Sequence, residues 1–287
     1  MSLRARSVGE ILDGALRLYR QDVGLYVFVA VVAAMPFAVG MVLSMGGANL
    51  VAAAAVTLIA FLAAMIATIV VWAALMHLMN ERLEGREPVL GASLKRGFGV
   101  GHRVLWGAIL AYAIVLGAMG VIFAGAGIAF TLGSIVSPVI GGILGAVAFL
   151  ALLFTVGVRV MAGATLFLPG ILVERCTGYG SVKRGFALAR EGRGRILLVI
   201  TVASALMFIP VMATYFLTGT ASLLTDPDAV STGAIGMGQL AVQQLLLMLS
   251  TGFTTPFFVA CMLLLYYDQR VRLEAFDLEA AADALAG

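Results

Sequence analysis

The chain has 287 residues, 62% of them apolar and only 11% charged, where ordinary soluble domains average about 25% charged. That composition excludes a soluble globular domain, and seven prolines, two cysteines and no Gly-X-Y period exclude disordered, disulfide-framework and collagenous chains. The net charge of +3 would point to nucleic acid only if the basic residues lined one water-exposed face; they sit instead between apolar runs, so no nucleic-acid partner is expected.

Met1 to Asp22 carries Arg4, Arg6, Glu10, Asp13, Arg17, Arg20 and Asp22, too much charge for a cleavable signal peptide, so the first apolar run is expected to be retained. Six charge-poor runs then follow that reach the roughly 20 residues a bilayer requires. Val23–Met45 and Leu50–Met79 are separated by Gly46, Gly47, Ala48 and Asn49; Val104–Leu132 and Ile135–Val173 by Gly133 and Ser134; Ile196–Thr218 and Leu240–Tyr267 by a segment with Asp226, Pro227 and Asp228. None alternates polar and apolar residues as a barrel strand does. The expected fold is all-α, a polytopic membrane bundle of six transmembrane helices.

The basic residues orient this bundle. Four precede the first run, five lie between the second and third (Arg82, Arg86, Lys95, Arg96, Arg103), six between the fourth and fifth (Arg175, Lys183, Arg184, Arg190, Arg193, Arg195) and two after the sixth (Arg270, Arg272). Only Arg159 falls inside a run, and the opposite connections carry no cation, their charges being Asp226 and Asp228. By the positive-inside rule both termini face the cytoplasm, which for a bacterial chain means the inner membrane.

The basic loops also repeat. Ser93-Leu94-Lys95-Arg96-Gly97-Phe98 recurs 88 residues later as Ser181-Val182-Lys183-Arg184-Gly185-Phe186, and a weaker copy 82 residues earlier places Leu12, Ala15, Leu16, Leu18 and Arg20 in register. Apolar residues at helical spacing opposite a basic face predict surface helices, with the apolar side in the acyl boundary and the basic side toward anionic headgroups. The even-numbered runs close on Glu81-Arg82, Glu174-Arg175 and Asp268-Gln269-Arg270. The chain thus reads as a single six-span domain over residues 1–272, three repeated hairpins (about 1–82, 83–175 and 176–272), each preceded by a basic amphipathic surface helix, with 273–287 a short acidic cytoplasmic tail.

Arg159 is the sharpest single residue, because a charge within an apolar run costs at least about 2.5 kcal/mol and no run contains an acid to offset it. Counted back from the boundary acids, Thr68, Thr254 and Thr255 lie at comparable depth. One reading collects these four in a polar layer. The other breaks the fourth run, 39 residues long and so about 58 Å as one helix, at Pro169-Gly170, and lets Arg159 snorkel to the inner surface. His77 stands four residues before Glu81, spaced to share a helix face. Gly141 and Gly145 are spaced for close helix packing. No nucleophile elbow, phosphate loop or zinc-binding set occurs, so neither an enzyme nor a cofactor or metal site is expected.

The opening Ser7-Val8-Gly9-Glu10-Ile11-Leu12-Asp13 with Leu18-Tyr19-Arg20, the stretch Pro169 to Glu174 followed by Ser181 to Phe186, and the closing Leu265-Tyr266-Tyr267-Asp268-Gln269-Arg270-Val271-Arg272-Leu273-Glu274-Ala275-Phe276-Asp277-Leu278 resemble the glycerophosphoryl diester phosphodiesterase membrane domain family. That family usually has Leu at the position of Gln269 and Gly at that of Ala275. The resemblance implies a stand-alone membrane region; nine residues follow Leu278, so the phosphodiesterase activity of longer members is not implied. The expected function is binding anionic lipid or an amphipathic anion, or organising a membrane-protein partner, through Arg159, Lys95, Arg96, Lys183 and Arg184. The alternative is a small transporter or channel lined by Thr68, Arg159, Thr254 and Thr255.

Overall fold

The computed structural model describes residues 6–45, 50–225 and 237–274, and all its regular elements are helical. In chain order they are α1 (Val8–Gln21), α2 (Val23–Met45), α3 (Leu50–Leu83), α4 (Leu90–Ser134), α5 (Pro138–Leu152), a π-helical turn (Leu153–Gly157), α6 (Val158–Thr165), α7 (Phe167–Val173), α8 (Gly178–Leu188), α9 (Arg193–Thr225) and α10 (Met237–Glu274). Six helical stretches, among them Pro138–Val173 taken together, are long and apolar enough to cross a membrane. The Gly46–Asn49 link, the loop acids Asp226 and Asp228, and the acidic tail beyond Glu274 lie outside the described residues.

Two compact units emerge. One gathers the residues up to Ile11, His102–Ile200 and the residues from Met262; the other gathers Leu12–Gly101 and Thr201–Cys261. In the second unit α2 and α3 form a hairpin, and Trp72 packs on Phe258 with ring centroids 5.8 Å apart. In the first, α4 and α5 pair closely: a Cβ at Gly141 would lie 2.7 Å from the Phe130 carbonyl oxygen, and one at Gly145 would lie 3.0 Å from Phe130 Cβ. Ser137 starts α5 as its N-cap, accepting the Ile140 N–H at 3.2 Å, with Pro138 in the first turn where its missing N–H costs nothing.

The basic segments depart from the sequence expectation. α1 is a separate helix, opened by a capping box in which Ser7 Oγ accepts the Glu10 N–H and Glu10 Oε2 accepts the Ser7 N–H. α8 is separate too. Ser93–Phe98, however, is not a surface helix before the third span: it is the start of α4, one unbroken helix of 45 residues, because no proline interrupts Leu90–Ser134 and glycine alone does not stop a helix held by packing. The apolar stripes are also turned into protein. Ile11, Gly14, Ala15 and Leu18 on α1 are buried, as are Gly178, Ser181, Val182, Gly185 and Leu188 on α8, which packs on α6 and α7.

The two strong motif copies dock alike. A Cβ at Gly97 would lie 2.6 Å from the Val70 carbonyl oxygen, and a Cβ at Gly185 would lie 2.5 Å from that of Gly163. Val70 and Gly163 each stand eleven residues before the boundary acids Glu81 and Glu174. The serine four residues before each glycine, Ser93 or Ser181, is fully buried.

The fourth run does break, but at Leu166, whose backbone leaves the helical region (φ −91°, ψ 2°) three residues ahead of Pro169. Pro169 thereby falls in the first turn of α7, where its ring is tolerated. Ala162–Ala164, Leu166 and Leu168–Leu172 are buried, whereas most of Pro138–Val158 is exposed apolar surface or half-buried. α7 ends at Val173, and just past its C-cap Arg175, a non-glycine residue with φ 56°, lets the Cys176 N–H return to the Gly170 carbonyl.

Replacing Gly185 or Gly97 by Ala forces a methyl against backbone that cannot give way, and each change is expected to cost about 1–3 kcal/mol. Gly99→Ala and Gly101→Ala meet nothing within 4 Å and serve as neutral or slightly stabilising controls. Thermal unfolding of the purified protein in one detergent, followed by intrinsic fluorescence, separates the two pairs.

Candidate lipid and anion interface

Charge in the first unit is concentrated where α7, α8 and the end of α10 meet. Glu174, at the C-cap of α7, accepts two hydrogen bonds from Arg184 (Nε 2.8 Å, Nη2 3.0 Å) and one from the Tyr266 hydroxyl at 2.7 Å, and Arg270 Nε stands 3.1 Å away. Arg184 also donates to Glu274, which Arg270 reaches at 3.2 Å. Burial works against the Arg184 charge, but its hydrogen bonds to Glu174 and Glu274 outweigh that and hold its pKa above the ordinary guanidinium value.

A second centre lies beside it in sequence. The Asp268 side chain is fully buried; it accepts the Arg6 backbone N–H at 2.6 Å and pairs with Arg195 at 2.7 Å and Arg272 at 3.1 Å. The Arg6 carbonyl accepts from Arg195 and from Arg272, so the backbone of one residue of the N-terminal segment is clamped on both sides to α9 and α10. Next to it Gln269 is buried with its Nε2 unpartnered, its amide seated against Gly192. The acid and base adjacent in sequence do not pair with each other: Arg175 is exposed while Glu174 takes Arg184.

The second unit has its own ion pairs. Arg82 grips Asp22 bidentately (2.8 and 2.9 Å), with the Tyr26 hydroxyl 3.4 Å from the same carboxylate. His77 Nδ1 lies 3.0 Å from Ser93 Oγ, and its Nε2 lies 4.0 Å from Glu81.

The residues singled out for an anion are distributed as follows. Arg159 is exposed on α6 in the first unit and makes no ion pair among the described residues; Thr155, one turn earlier, spends its hydroxyl on the Ala151 carbonyl. Thr68, exposed, Thr254, half-buried, and Thr255, buried, belong to the second unit. Thr254 bonds back to the Ser250 carbonyl of its own helix at 2.9 Å. Lys95 and Lys183 are exposed, Arg96 is half-buried, and Arg184 is engaged by two carboxylates. The opposite face of α6 borders a cleft of about 190 Å³ walled by apolar residues such as Val115, Met119, Ile122, Leu153 and Leu197.

A cavity of about 400 Å³ went unforeseen. It is lined by His102, Arg103, Trp106 and Leu110 of α4 and by Thr177, Gly178 and Tyr179 at the start of α8. Its sequence signal is the spacing of His102, Trp106 and Leu110 at i, i+4 and i+8, one helical stripe; what the sequence withholds is that Thr177–Tyr179 closes the other wall. Among the described residues no cluster of His, Cys, Asp and Glu is arranged to hold a metal ion.

These features define an all-helical chain with six stretches suited to crossing a membrane, the make-up of a multi-pass membrane protein. No known protein family, curated protein or solved structure matches it.

Asp268→Asn leaves Arg195 and Arg272 without their counter-charge and is expected to destabilise by about 3 kcal/mol or more, against under about 1 kcal/mol for Asp13→Asn in an exposed pair. Gln269→Leu removes an unpartnered buried amide and should instead stabilise by about 1 kcal/mol. Unfolding midpoints in detergent report both signs. Burial, and after it the Glu174 carboxylate, push the Cys176 thiol above its ordinary value despite the pull of Arg184. Its alkylation rate is therefore expected to rise with pH through a midpoint above that of free cysteine in the same detergent, measured by mass spectrometry, while buried Cys261 stays unmodified.

Proposed function

We propose that this chain is a non-catalytic protein of the bacterial cytoplasmic membrane, with both termini cytoplasmic, that binds anionic phospholipid and so can organise a partner at the membrane surface. The observation that carries this reading is the position of Arg159. Pro138–Val158, largely exposed and apolar, has 21 residues and so spans about 31 Å, the thickness of a hydrocarbon core. Arg159 follows at once, exposed and with no carboxylate partner among the described residues, and Ala162–Leu172 beyond it are packed under α8. A guanidinium at that level is placed to meet phosphate oxygens, which it binds as a planar fork, and α8 adds the exposed Lys183 on the same side of the apolar stretch. Lys95 and Arg96, on the matching turn of α4 in the second unit, supply the same chemistry.

The resemblance to the glycerophosphoryl diester phosphodiesterase membrane domain family accords with a membrane-embedded role without catalysis, since Tyr266, Asp268, Arg270, Arg272 and Glu274, which carry the likeness, are engaged in ion pairs and hydrogen bonds that hold helices together.

Native mass spectrometry of the detergent-purified protein tests the reading. Wild type is expected to retain anionic phospholipid adducts and Arg159→Ala to retain clearly fewer; no adducts on wild type, or equal adducts on both, would overturn it.

A further inference from the structure

The cavity between α4 and the start of α8 is graded in polarity along its length. His102 and Arg103 stand at one end, Trp106 one turn on, and Leu110 a further turn on, about 12 Å from first to last. Opposite them are Thr177 and Tyr179. Gly178 makes this wall possible: a Cβ there would lie 2.9 Å from the Arg103 carbonyl oxygen and 3.1 Å from Trp106 Cβ, so only glycine lets α8 begin this close to α4. Thr177 Oγ1 caps α8 by accepting the Gly180 N–H at 3.1 Å, which leaves its own proton to donate.

Three properties of this cavity select its ligand. It holds cationic and hydrogen-bond-donating groups and no carboxylate, and Arg103 makes no ion pair among the described residues, unlike Arg184 and Arg195 of the same unit. Trp106 and Tyr179 are each more than half exposed, 61% and 70%, as amphipathic rings at a membrane interface are. The Leu110 end runs toward the Ala111, Ala164 and Val182 core and the long apolar part of α4. The geometry points to a second binding site, distinct from Arg159, that takes the phosphate-ester head of a net-anionic phospholipid: phosphate at Arg103 and His102, the glycerol region between Trp106 and Thr177, the first acyl carbons over Leu110. A guanidinium with no acid beside it favours a headgroup of net negative charge over one carrying its own ammonium. This rests on the lipid-binding reading above but assigns different residues.

Trp106 reports on the site directly. The chain has two tryptophans, so Trp72→Phe, conservative against its Phe258 neighbour, leaves Trp106 as the sole tryptophan, excited selectively at the red edge of indole absorption where tyrosine does not absorb. This variant is reconstituted in vesicles of brominated phosphatidylcholine, which quenches indole emission, and unbrominated phosphatidylglycerol is added in steps. The expected result is recovery of fluorescence at a mole fraction several-fold below that for added unbrominated phosphatidylcholine, with the preference lost in Arg103→Gln and reduced in His102→Gln, both changes at positions without an ion pair. Inorganic phosphate at constant ionic strength is the control for source: no effect supports a lipid headgroup, whereas loss of the preference reassigns the site to a soluble anion and overturns the lipid assignment. Equal recovery by the two lipids, or a preference unchanged by Arg103→Gln, overturns the site itself. Because adduct retention through Arg159 is read separately, failure here leaves the broader reading standing, and absence of adducts there together with equal recovery here removes both.

Discussion

A carboxylate taken out of water has to be met by charge and hydrogen-bond donors at once, since in the low dielectric of a packed helix end an unpaired ion costs several kcal/mol. Asp268 imposes that condition on the first unit. Its side chain is fully buried, and the groups that satisfy it come from the N-terminal segment, the first turn of α9 and the next turn of α10. Glu174 does the same for α7, α8 and α10 through Arg184, Tyr266 and Arg270. Apolar helices in a bilayer gain little by touching each other, because lipid tails are as apolar as leucine; ion pairs of this kind supply direction where hydrophobic contact cannot.

The same condition sorts the basic residues by role. Arg184 and Arg195 are occupied by carboxylates, whereas Arg159, Lys183 and Arg103 are not. The latter set, which pairs with no carboxylate among the described residues, is free to meet an external anion. Adjacent members of the motif, Lys183 and Arg184, thus fall on opposite sides of this division, one exposed and one engaged.

Much of the architecture was legible because lipid leaves so strong a mark on composition: the six runs and the packing of Gly141 and Gly145 follow from hydropathy and small residues, although the turn expected at Gly133–Ser134 falls at Ile135–Ser137, with Gly133 and Ser134 closing α4. Three things were not legible, each for a physical reason. The continuity of α4 through Ser93–Phe98 depends on Gly97 seating against Val70, a tertiary contact that overrides the helix-weakening effect of three glycines in five residues. The burial of the amphipathic stripes depends on whether protein or lipid covers them, and both read alike in periodicity. The ionic partners are far apart in the chain, Arg195 with Asp268 and Arg184 with Glu274, so the boundary acids could be noticed as recurring without their partners being found.

The π-helical turn at Leu153–Gly157 separates two halves of one continuous run that have different neighbours: exposed apolar surface before it, the α8-bearing segment after it. Such a turn holds one residue more than an α-helix of the same rise. Each residue advances an α-helix by about 100°, so losing one here would swing Arg159 and the Gly163 seat a quarter-turn or more about the axis while leaving the preceding half in place. The extra residue therefore acts as a phase setting, fixing which side of the helix carries the cation and which receives Gly185, and marks the place where a one-residue insertion or deletion in a related chain would redirect both.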